Sequence, residues 1–253
     1  MSEMEVQSSS VAAPGLSQWQ RVSNTFMAPS KTFDDIKRGN KSWWMPLIIM
    51  ALVGYILFAA VYTKIGMQTV VDNQVKLDPK TAERMAQMPA EQRATAEKIS
   101  LNITQGIFIA SPAMVMLVAA IVSLVLWGTI NFAFGGKATF GGVFAVWFYA
   151  NLPSIVKSLL GVVVIFSGMA PESFNIKNFA PTNLGAFLDP VETNKALYAL
   201  ATSLDAITIW TLVLMGMGIA TVAGVKRGSG YITTFGWWAI VVLVGVGFAA
   251  MQG

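Results

Sequence analysis

Lys157 and Asp205 stand alone as opposite charges inside long apolar stretches. Ionisable groups in such places are costly, so they are the first candidates for function. Their heights can be compared. Lys157 lies 17 residues beyond Phe140, or about 25 Å of helix. Asp205 lies 19 residues before Gly224, or about 28 Å. Both fall near the same edge of a hydrocarbon core roughly 30 Å thick. An ion pair or a water-bridged contact is expected. The alternative is a Lys157 that snorkels along its own stem and an Asp205 at the water boundary.

Asn131, Asn151 and Ser154 are the other notable polar groups in these stretches, and Pro153 follows Asn151 closely. A proline there frees a carbonyl one turn earlier and can break the helix. Two readings stay open: a water-lined or substrate-lined spot at a broken helix, or asparagines acting as glue between helices. The chain has no histidine and no cysteine. That removes the commonest acid–base side chain, thiol nucleophiles and disulfides. Asp205 is the single intramembrane carboxylate, so an Asp–Asp dyad is excluded. No GxxxxGK loop or GxSxG elbow occurs, and Gly135-Gly136-Lys137 lacks the spacing and the strand. An enzyme is not expected, nor a metal, a cofactor or a nucleic-acid partner.

The elements that carry these residues are five hydrophobic runs, roughly 43–62, 106–134, 140–169, 203–224 and 231–251. Each reaches the about 20 apolar residues that a spanning helix needs. The chain is 55% hydrophobic and 12% charged, against about 25% charged in a soluble domain. The expected fold is all-α, a polytopic membrane protein built as a bundle of five transmembrane helices. The first run lacks a cleavage pattern and reads as a retained span.

Residues 1–15 read as a polar, disordered tail, and 16–42 as an amphipathic segment. There Trp19, Val22 and Phe26, then Phe33 and Ile36, recur at helical spacing around Pro29. Short helices lying on the membrane surface and helices packed on the ends of the spans are both compatible with this. Trp43 and Trp44 fit an interfacial belt. The loop at 64–105 alternates in charge, with helix starts at Asp78-Pro79 and at Pro89, and Asn102-Ile-Thr104 matches a weak glycosylation sequon. In the loop at 170–202, Asp189, Pro190 and Glu192 predict a helix leading straight into the fourth span. Ser229 and Gly230 predict the tight turn between the last two spans. Gly216, Ala220 and Gly224 form a small-residue ridge for close helix packing, with Gly245 and Gly247 offered to the facing helix.

Both sets of loops carry eight basic residues, so proximity to the spans decides orientation. Lys37, Arg38, Lys41, Lys137, Lys226 and Arg227 lie in short segments near span ends. The N-terminus is therefore expected in the cytoplasm and the C-terminus outside. The cytoplasmic set has a net charge of +4, which could contact anionic lipid.

Two stretches and a short motif carry a resemblance. They are FMAPSKTFDDIKRG from Phe26; Ser203-Leu204-Asp205 with Trp210 and LVLMGMGIATVAGVKR; and Tyr149-Ala-Asn-Leu-Pro153. Together they resemble the bacterial branch of the YIP (Ypt-interacting protein) family over about Phe26 to Ala250. The resemblance implies five membrane helices, a cytoplasmic N-terminus and a bacterial inner-membrane protein. Eukaryotic members are linked to small GTPases and vesicle traffic and carry an N-terminal tyrosine–glycine–proline motif. Its absence here argues against a GTPase partner. The expected function is a non-enzymatic membrane protein that organises or adapts other membrane components, with the bilayer, other membrane proteins or a second copy as partners. The alternative is a transporter, channel or lipid-moving protein that uses Lys157 and Asp205.

Overall fold

The structure is a computed structural model that describes residues 15–252. The tail expected at 1–15 falls almost wholly outside the described residues. Five helical segments among those described are long and apolar enough to cross a membrane: Trp44–Ile65, Ser111–Phe132, Phe140–Phe166, Ala206–Ala223 and Arg227–Met251. The protein is an all-α polytopic bundle. One end of it carries two long loops and is called the loop end here; the other carries the short connections and the N-terminal segment.

The N-terminal segment forms α1 (Gln18–Met27) and α2 (Pro29–Lys37). Ser17 and Gln20 close a capping box on α1, and Pro29 opens α2 where its missing N–H costs nothing. The two helices do not lie flat. α2 packs along α11 (Ala206–Ala223), and Phe33 meets the bare backbone of Gly218 there. At the α1–α2 tip, the Phe26 ring meets Trp210 edge to face at 5.8 Å. Trp210 is 13 residues from the Ala223 end of α11, about 20 Å along its axis. The hairpin therefore packs on protein, as one of the two expected arrangements has it, but along the side of the bundle and not on the ends of the spans. Val22 and Phe26 face the bundle, whereas Trp19 is exposed.

A buried charge fastens the hairpin. Arg21 is 0% exposed. Its guanidinium donates to Asn40 Oδ1 and O and to Ser42 O at 2.8–3.2 Å. It also lies 4.4 Å over the Tyr149 ring, a cation–π distance. Asp35 sits 3.4 Å from its Nε without hydrogen-bond geometry, and is itself held by Leu16 N and Asn40 Nδ2. Burial lowers the Arg21 pKa, opposed by its neighbours Tyr149 and Asp35.

α3 (Trp44–Ala60) ends in a short π-helix, Val61–Ile65, which extends the first span past its expected end and takes in Lys64, over the Phe166 ring. Just before the first span, Trp43 stacks on Phe148 at 5.3 Å, while Trp44 is exposed. The first loop folds into α4 (Met67–Lys76), α5 (Pro79–Gln87) and α6 (Ala90–Ile109). Asp78 caps α5, and the Thr81 hydroxyl holds its carboxyl below the usual range. α6 is not the short helix expected at Pro89 but 20 residues long. It breaks at Ala110, so the second span begins with α7 (Ser111–Phe132) rather than at Gly106.

The third span consists of α8 (Phe140–Ala150) and α9 (Ser154–Phe166). α10 (Lys195–Ser203) starts at an Asn194 cap, and Asp189 closes only a local turn with Val191 N and Glu192 N. The helix expected from Asp189 is thus five residues shorter, and Leu204 and Asp205 separate it from α11. Gly224, at φ 68°, ends α11, and Val225 N returns to Ala220 O. The turn therefore lies at 224–226, and Ser229 and Gly230 belong to α12 (Arg227–Gln252).

Replacing Arg21 by Met should leave the buried Asp35 with the exposed Arg38, 3.4 Å away, as its charged partner, and cost up to about 3 kcal/mol. Adding Asp35→Leu should recover most of that. Thermal unfolding of the purified single and double variants in one detergent checks the order.

Candidate functional site

The site grows from the break in the third span. Pro153 cannot donate to Tyr149 O, which accepts from Leu152 N instead. Ser154, Ile155 and Val156 likewise bond three residues back, to Asn151, Leu152 and Pro153. This tightened turn restarts the helix as α9, with Lys157 as its fourth residue.

Lys157 Nζ lies 2.8 Å from Asp205 Oδ2. The Thr182 hydroxyl donates to the same oxygen at 2.6 Å. Oδ1 accepts from Thr208 N at 2.9 Å, so Asp205 is also the N-cap of α11. The Asp205 side chain is 2% exposed and that of Lys157 26%. The lysine reaches the carboxylate along the bundle surface, with its ammonium 5.9 Å over the Phe179 ring.

The second loop supplies the rest of this environment. Ala206 N donates to Thr182 O, and Asn183 pairs with Asp205 as an isolated antiparallel bridge. Asn183 Nδ2 donates to Asn178 Oδ1, and Asn178 Nδ2 to the Tyr198 hydroxyl. Phe179 packs where any Cβ on Gly161 would collide with its ring. Asn73 of α4 donates to Pro171 O and Phe174 O, which fixes the start of the loop over the Leu57–Ile165 cluster. Asp205 thus joins α9, α11 and the second loop at the loop end. Thr182, Asn183, Asn178 and Tyr198 were not singled out from the sequence. The density of Asn and Thr in FNIKNFAPTN was the available signal.

Asn151 and Asn131 do not join this centre. Asn151 Nδ2 bonds its own Trp147 O at 2.8 Å. Asn131 lies at the opposite end, where it bonds both N and O of Ala138 and pins the 133–139 connection, with Trp127 Nε1 also on Ala138 O. Of the small-residue ridge, Gly216 and Ala220 pack against Gly230 and Tyr231 of α12. Gly224 is the helix terminator instead. Gly245 and Gly247 face open space, so the close approach comes from Gly230, not from them. A second small residue, Gly218, serves the opposite face against Val146 and Phe33.

Chemically the centre is a satisfied ion pair: three donors on one carboxylate. No three His, Cys, Asp or Glu side chains converge as metal ligands among the described residues.

A family model described as the Yip1 domain matches residues 23–249. No curated protein and no solved structure matches the chain.

Lys157→Met should strand Asp205 and destabilise by up to about 3–5 kcal/mol. Asp205→Asn should cost less, because the amide oxygen still caps α11 and Lys157 can turn to solvent. The double variant should show a coupling of about 0.5–3 kcal/mol. Unfolding of all four proteins checks this, and additive losses would mean that the pair is idle. A charge swap is a poorer test, since a lysine at 205 cannot cap the helix.

Proposed function

The chain belongs to the Yip1 domain family, and from that membership we propose that it is a non-enzymatic membrane protein that organises or adapts other membrane components. It is a multi-pass protein with five apolar spans. The proposal places its N-terminus in the cytoplasm and its C-terminus outside, in a bacterial inner membrane. The positions of Lys37, Arg38, Lys41, Lys226 and Arg227 near span ends support that orientation. The same residues are the ones that would meet anionic lipid.

The observation that carries this reading is α6. None of its residues is buried. Ile99, Ile103 and Ile107 recur every four residues on one of its faces, and all three are exposed. α6 is not one of the five candidate spans. An apolar stripe exposed in that setting suits contact with another protein. Meanwhile the polar groups singled out within the bundle, Lys157, Asp205, Asn131 and Asn151, are bonded to their own chain, which suits an architectural role.

The transporter reading has less support. Asp205 is saturated by three donors and roofed by the second loop. A transported ion would have to displace those partners.

The cysteine-free chain makes the test direct. A single cysteine introduced as Ile103→Cys should give a discrete cross-linked adduct in native membranes. Ile99→Ser with Ile107→Ser should remove it. An absent adduct, or one indifferent to those changes, would count against the organising role. Reconstituted vesicles should show no flux that depends on Asp205; flux lost in Asp205→Asn would favour the transporter.

A further inference from the structure

A cavity of about 470 Å³ lies between α7, α8, α11 and α12. That is within the range of small-molecule sites, roughly 300–1,000 Å³. Its walls belong to four of the five candidate spans. They lie well inside those spans: Trp147 is seven residues from the Phe140 end of α8, and Met215 eight from the Ala223 end of α11. The floor, with Leu126 and Met215, is buried. The rim, with Ile121, Val125 and Val241, is exposed. An opening at that depth on apolar helices looks onto lipid chains, not water.

The cavity is not purely apolar. Thr63, Thr129, Thr221, Thr233 and Thr234, which lie in the candidate spans, each donate to a carbonyl one turn back. That is how a hydroxyl is usually satisfied in a membrane helix. Thr208 and Thr211, the remaining threonines of the spans, both line the cavity. Their hydroxyls have no hydrogen-bond partner among the described residues. They are three residues apart and so share a face of α11. Thr208 is also the residue whose amide caps onto Asp205, so the two free hydroxyls mark the end of the cavity nearer the loop end. Asn151 also lines the cavity, with its amide nitrogen spent on Trp147 O; two unpaired hydroxyls and otherwise mostly apolar walls describe an amphiphile in reverse.

We propose that this cavity holds one chain of a diacyl glycerolipid from the bilayer. The Thr208 and Thr211 hydroxyls donate to the ester carbonyls, and the acyl chain runs past Trp147 towards Leu126 and Met215. The head group then emerges at the loop end, beside the Lys157–Asp205 centre. The occupant follows from the medium at the mouth, which is made of such chains, and from the acceptor chemistry the two hydroxyls require. Lipid occupancy here is independent of the organising role.

The test is native mass spectrometry of the full chain, released into detergent from nanodiscs of phosphatidylethanolamine and phosphatidylglycerol. One phospholipid per chain should survive delipidation. Thr208→Val with Thr211→Val keeps the shape and removes the donors, and should lower the retained fraction about fivefold. Val122→Trp should fill the cavity and abolish retention, with a melting temperature near that of the parent. Should that bulky variant unfold, the valine pair decides alone. No retained lipid, or equal retention in the valine pair, overturns the proposal. A bound free fatty acid or isoprenoid alcohol in place of a phospholipid overturns the assigned occupant.

Discussion

A carboxylate only 2% exposed must be satisfied by its own protein, and the loop end of this bundle is arranged around that requirement at Asp205. One oxygen takes the first turn of α11, the other takes Lys157 from α9 and Thr182 from the second loop. The loop that provides Thr182 is in turn tied to α4 through Asn73 and to α10 through Tyr198. Three elements that could otherwise slide along one another share one charged point.

The other end of the bundle repeats the solution with different residues. Arg21 is enclosed by Asn40, Ser42, Asp35 and the Tyr149 ring. It fastens a hairpin whose helices, of ten and nine residues, are too short to be stable alone. Buried pairs of this kind contribute little net stability compared with apolar packing. What they add is register: an arginine with this many geometric demands has one place to sit. Glycine provides the complementary half, because Gly218 lets Phe33 of α2 seat against α11, and Gly230 lets α12 approach α11 closely.

The number and character of the spans were legible in the sequence, because apolar length is a local property that no neighbour can cancel. The common height of Lys157 and Asp205 was legible for a similar reason, since helix rise converts residue count to depth. Boundaries were less legible. The second span begins at Ser111 because α6 breaks at Ala110, and the last turn sits at 224–226 because Gly224 takes a left-handed conformation. Glycine is common in both turns and ridges, so its type alone could not say which role Gly224 or Gly245 would have.

By itself the sequence determined the solvent of this protein, its all-α class, its family resemblance and the two charges that would have to be reconciled in the membrane. Tertiary structure alone decided what those charges hold together. The amphipathic N-terminal segment could have lain on a lipid surface or on protein, since either buries the same face; Gly218 and Tyr149 settled it by offering a fitted one. Asn131 and Asn151 went to separate tasks: the fold of the 133–139 connection brought both backbone groups of Ala138 to Asn131, whereas Asn151 bonded Trp147 O one turn back in its own helix.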